Sequence, residues 1–174
     1  NLWIGTRAGG LARLIAETGL VQTKFNKRQE PEHLSGKNIL QINELANGEL
    51  LVSTNFGLYR LNLPRGDLQQ LSHVRGPESV DAKNGVWSAI EIGENQFLVG
   101  TETGLHRLNG FQSSVVQISA SGSNAPRSDQ IHISTITKDT QGKIWIGTRG
   151  HGLMQYLMEE NSLVATSPPN WNNR

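Results

Sequence analysis

Short apolar runs, never a long helical stripe, set the rhythm of this chain. "LWIGT" from Leu2, "LLVST" from Leu50, "FLVGT" from Phe97 and "IWIGT" from Ile144 each end on a threonine, and after two or three loop residues each continues as Gly-Leu. The threonines stand at 6, 54, 101 and 148, so the steps are 48, 47 and 47 residues. Self-similarity at such a period marks a repeat architecture, in which each unit needs a neighbour to cover its apolar surface.

The runs are brief, rich in Val, Ile, Leu and Trp, and bounded by Gly, Asn, Asp or Ser, which predicts strands. In the third repeat "VWSAIEI" from Val86, "QFLVGT", "LHRLN" and "SSVVQIS" from Ser113 read as four strands; in the fourth, "IHISTIT" from Ile131, "KIWIGT", "GLMQY" and "SLVATS" do the same. The turn "DTQG" puts Asp139 and Gly142 where a local hydrogen-bonding side chain and a permissive backbone are wanted. Each hairpin after a threonine ends in glycine, at 10, 57, 104 and 152, which predicts a left-handed residue there. The threonine recurs in every repeat whatever its loop, so its hydroxyl is expected to bond neighbouring backbone rather than a ligand.

The second strand of each repeat is apolar on successive residues and therefore needs cover on both faces. A four-stranded antiparallel sheet covered on both sides by copies of itself is a propeller blade. The expected fold is all-β: a partial β-propeller over residues 1–174, with blades at 1–30, 37–78, 84–122 and 130–168. The first blade starts inside its second strand and so lacks its innermost one. About four blades make an arc of a larger ring, and the bare face at each end leads us to expect self-association.

At "DTQGKIWIGTRGHGLMQY" the pattern resembles the two-component regulator propeller repeat, through Asp139, Gly142, Trp145, Ile146, Gly147, Thr148, Gly152, Leu153 and Tyr156. The first repeat resembles it through Trp3, Ile4, Gly5, Thr6, Gly10 and Leu11; the second and third depart, with Leu51 and Leu98 in place of tryptophan and Ser53 in place of a glycine. The resemblance implies a signal-input module from the extracytoplasmic, periplasmic region of a bacterial histidine kinase, hybrid kinase or diguanylate cyclase. It implies no enzyme in this region, although a longer protein would carry an output domain.

A net charge of +1, from 16 Lys and Arg against 15 acids, gives no electrostatic footing for nucleic acid. The densest charged stretch, Lys24 to His33, is mixed in sign and reads as a solvated loop. No apolar run is long enough to span a membrane, so membrane attachment is expected only through further segments. With no cysteine there is no thiol chemistry.

The histidines at 33, 73, 106, 132 and 151 lack a ligand partner at metal-binding spacing, so neither metal nor cofactor is expected. No nucleophile elbow occurs, and "SGSNAPRSD" from Ser121 reads as a connector. Function should then lie in what differs between blades, on the face where second-to-third hairpins and blade-to-blade loops meet. The candidates there are Arg7, Asn38, Asn55, Phe56, Trp87, Glu102, His132, Arg149 and His151. Their mixture of planar hydrogen-bonding groups and aromatics suits a small polar molecule or carbohydrate. Two rivals are a propeller lyase or hydrolase, with His132 beside Glu102 or Asp129, and a protein interaction platform with a broad apolar face.

Overall fold

The computed structural model describes residues 2–7, 9–24, 34–71, 85–110, 115–122 and 125–166. His33, His73 and Asn84 lie outside them, as do most of the charged loop after Lys24 and the start of the strand expected from Ser113.

The architecture is an arc of antiparallel blades. The first holds β1 (Leu2–Gly5), β2 (Leu11–Ile15) and β3 (Leu20–Lys24); the second holds β4 (Ile39–Glu44), β5 (Leu50–Thr54), β6 (Gly57–Asn62) and β7 (Asp67–Gln70). The third holds β8 (Ser88–Gly93), β9 (Gln96–Thr101), β10 (Gly104–Asn109) and β11 (Val115–Gln117). The fourth runs β13 (His132–Lys138), β14 (Ile144–Arg149), β15 (Leu153–Leu157) and β16 (Ser162–Ala165), with β12 (Ser119–Ser121) added at its outer edge. A short 3-10 turn at Ser128–Gln130 leads into β13.

The expected fold class is what the structure has, including a first blade of three strands. One element differs. "SSVVQIS" was expected to be a single outer strand of the third blade; instead the chain leaves that blade after Gln117, buries Ile118 completely, and lays Ser119–Ser121 parallel to β16. Ile118 donates its N–H to Leu105 O, the last bond to the third blade, before its side chain enters the core shared with Ile131, Ile144 and Leu163. The connector thus begins as a strap between two blades, and the fourth sheet has five strands.

Burial follows position in the arc. β5 is buried at all five positions and β9 at all but the first, as a strand covered on both faces must be. In β14, where no later blade follows among the described residues, buried and half-buried positions alternate. The blades dock along their inner strands. Gln41 Oε1 accepts from Ser88 Oγ and Ala89 N, each at 2.8 Å, and Ser88 Oγ accepts from Ile136 N at 2.8 Å, so one polar chain links three blades. Asn43 adds a 2.6 Å bond to Ala89 O.

The glycine before the threonine also answers to docking. A Cβ on Gly5 would come within 2.5 Å of Ile39 Cγ2, and one on Gly100 within 2.4 Å of Ile133 Cγ2, so the next blade's β-branched residue occupies the space. Close approach of backbone to a neighbour is a place only glycine fits.

Candidate functional site

The sheet registers put the second-to-third hairpins at one end of every blade and the remaining turns at the other. The hairpin end is the face expected to carry function, and its scaffold is the threonine. Thr6, Thr54, Thr101 and Thr148 donate through Oγ1 to the carbonyls of Gly10, Gly57, Gly104 and Gly152 at 2.8, 2.9, 3.1 and 2.7 Å. In three hairpins the same oxygen accepts a loop N–H, from Phe56, Thr103 and His151. Each hydroxyl is thereby engaged by backbone, as its repetition suggested.

All four glycines have positive φ, but loop length sorts them. Gly10 and Gly152, after three loop residues, are left-handed at 76° and 71°; Gly57 and Gly104, after two, sit at 125° and 128°.

The structure separates the candidate residues into three groups. Asn38 and Asn55 hold each other: Asn55 Oδ1 accepts the Asn38 N–H at 2.8 Å and Asn38 O accepts the Asn55 N–H at 3.2 Å. This ties the start of β4 to its own hairpin. Arg7, Phe56, Glu102 and His151 are exposed on four separate hairpins, with Phe56 47 % accessible.

Trp87, His132 and Arg149 come together. Trp87 occupies the repeat position at which β4 and β13 skip a residue in register, Leu40 and Ser134. Its N–H bonds Gly100 O at 2.9 Å, and its ring lies 5.3 Å from that of His132, tilted by 44°. His132 pairs in register with Arg149 across β13 and β14. Indole Nε1 is buried without a hydrogen-bond acceptor among the described residues. An aromatic pair bordered by an exposed guanidinium can stack on a flat ligand and bond its polar edge.

The turn end holds what sequence reasoning missed. Glu49, 7 % accessible, accepts from Arg60, from Asn62 at 2.6 Å and from Asn47 at 3.0 Å. Burial alone would raise its carboxyl; the bonds from Arg60, Asn47 and Asn62 with the Arg60 charge hold it below the usual carboxylate range. Beside it a cleft of about 550 Å³ runs across three blades, lined by Arg60, Glu91, Glu94, Asn95 and Lys138 among others. Glu91 Oε2 accepts the Ala46 N–H there at 2.9 Å. The signal in the sequence was a polar residue recurring at one phase of a strand, as in Arg60 and Arg107, 47 apart. The turn motif of the fourth repeat is explained too: Asp139 accepts the N–H groups of Gln141 and Lys143 at 2.9 Å and the Trp145 indole at 2.8 Å.

Among the described residues, no group of three His, Cys, Asp or Glu could hold a metal ion, and no helix is long and apolar enough to cross a membrane. His132 bonds neither Glu102 nor Asp129; Asp129 pairs with Arg127 at 3.2 Å.

With this geometry in view, the chain carries a repeat of a known kind: the two component regulator propeller family matches residues 127–150. Those residues run from the lead-in of β13 to the end of β14. The extracellular domain of BT3049 from B. thetaiotaomicron, named for a hybrid two-component system, superposes with a TM-score of 0.73 at 26% identity over 92% of this chain. That of BT4673 from the same organism, named for a one-component system, gives 0.65 at 21% over 87%. An ancestral GH74 enzyme gives 0.65 at 12% over 97%, a likeness of fold alone. The chain spans 21%, 19% and 22% of these three proteins. No curated protein matches it.

Proposed function

We propose that this chain is part of an extracytoplasmic recognition propeller of a bacterial signalling receptor, binding a small polar molecule or carbohydrate at its hairpin end. The observation that carries the reading is the likeness over 92% of the chain to an extracellular domain named for a hybrid two-component system. The place of binding rests on Trp87, His132 and Arg149, which bring an aromatic surface and a guanidinium to one patch of a face whose hairpins all differ. Binding would act by shifting a longer receptor between two arrangements, which requires the ligand to prefer one of them. Nothing in the reading calls for chemistry within the chain.

Thermal shift against panels of sugars and peptides tests it. A sugar that raises the melting temperature of the parent chain, and does so less for Arg149→Ala and Trp87→Ala than for Phe56→Ala, supports the patch. Stabilisation by peptides alone, sensitive to Phe56, would favour a protein interaction platform instead.

A further inference from the structure

The near-zero net charge conceals a separation of charge between the two ends of the blades. Among the described residues, the hairpin end carries Arg7, Lys37, Arg127 and Arg149, together with His132 and His151, against the carboxylates of Glu102 and Asp129. Asp129 and Arg127 pair with each other, so the balance there is Arg7, Lys37 and Arg149 against Glu102. The other described carboxylates, Glu44, Glu91, Glu94 and Asp139 among them, lie on or beside the opposite turns, where they outnumber the cations, which include Arg60, Arg65, Lys138 and Lys143. A field of this sense draws an anion toward the hairpin end and away from the turn end.

Trp87 supplies an independent observation. Its Nε1 is buried with no acceptor among the described residues. Indole is a donor only, so no rotation converts it into something the surroundings could satisfy. Buried donors without partners are rare in folded proteins. This one stands beside the His132 ring, in register with the exposed Arg149.

Building on the recognition role proposed above, we infer that the hairpin face takes a ligand bearing an oxyanion, a carboxylate or a sulfate ester, held by Trp87 Nε1, His132 and Arg149. An oxyanion accepts several N–H groups at once, and the guanidinium fork matches its geometry. A neutral polyol could accept from the indole but would leave the positive face without a counter-charge. The turn-end cleft, where Arg60 and Lys138 balance Glu91 and Glu94 in the wall, offers the same ligand no such excess of positive charge.

The test titrates the chain with tri-galacturonate, a sulfated galactose trisaccharide and neutral galactotriose, at low and at high salt. The indole N–H resonances are followed, with Trp87 identified through Trp87→Phe. At least one charged trisaccharide is expected to bind about tenfold tighter than the neutral one at low salt, to move the Trp87 resonance, and to lose most of that advantage at high salt. Arg149→Gln, exposed and so tolerated by the fold, should weaken the charged ligand about tenfold and any neutral binding by much less; Glu94→Gln at the turn end should not weaken the charged ligand. The carboxylated and sulfated probes tell the two oxyanions apart. Equal binding of neutral and charged sugars with the Trp87 resonance shifted would overturn the anion inference while the recognition face stands. Charged binding that leaves Trp87 unmoved overturns it as well, and no binding by any of the three sinks both.

Discussion

His106 stands where the second repeat has Tyr59 and the fourth has Met154, buried on β10 with Nε2 3.2 Å from the Thr101 hydroxyl. Burial pulls its pKa down from 6.5 to about 4. The unfolded chain therefore takes up a proton between those values that the native imidazole refuses, so stability rises with pH through this window. Its contribution is whole above the unfolded value and is lost as pH falls toward 4, by roughly 3 kcal/mol in all. Urea midpoints should fall between pH 6.5 and 4, and His106→Leu should flatten that fall; an unchanged slope would refute the assignment. Asp139 acts lower on the scale. The Trp145 indole, with the Lys143 and Gln141 amides, holds its carboxyl below the ordinary range. Asp139→Asn should lower the melting temperature and shift the Trp145 indole resonance, while the parent keeps both until the acid range.

Within and between the strands, the repeat acts through a few contacts of opposite kinds, one polar and one steric. Ser88 both donates to Gln41 and accepts from Ile136 N in a buried setting, so Ser88→Ala strands a backbone donor and should cost about 1–3 kcal/mol. Gly100→Ala places a methyl against the buried Ile133 and should cost about 1–3 kcal/mol through overpacking. Gly147→Ala meets only the exposed Thr135 side chain and should cost less. Denaturant titration of the three variants orders them; a Gly147 variant as damaged as the Gly100 one would remove the docking explanation for that glycine. Strand order and hairpins were legible because apolar runs and Gly-Leu pairs recur in phase. The strap was not. "VVQISAS" reads as one strand, and only the cavity waiting for Ile118 beside Ile131 and Leu163 tells the chain to change sheets there.

Across the whole molecule, apolar residues lie exposed at both ends of the arc. Leu153 and Met158 on the fourth blade are 48 % and 46 % accessible, and Leu2, Leu20 and Val21 on the first are 58 %, 60 % and 60 %. Phe56 and Val116 on the middle blades are exposed as well, and we expect the chain as given to self-associate through such apolar surface. Sedimentation at micromolar concentration should show a species of two copies, weakened by Leu153→Lys; a single monomeric species throughout would count against it. The candidate site was only half legible. The variable hairpin residues could be found by comparing repeats, and Trp87 and His132 both stood out there. That they face each other across two blades depends on how the inner strands dock, and that Asn55 Oδ1 accepts the Asn38 N–H depends on how one blade closes its own hairpin.

The primary structure determined the unit: apolar runs too short for helices, threonines at a fixed step, and glycines where the backbone must turn or come close. Those are local demands, and a repeat states them several times over. Which residues meet across blades, where the strap crosses, and which end of the blades carries the excess of carboxylates were decided only by the tertiary structure. That excess could not be read along the chain, because alternate turns of an antiparallel sheet fall at opposite ends and send sequence neighbours to different faces.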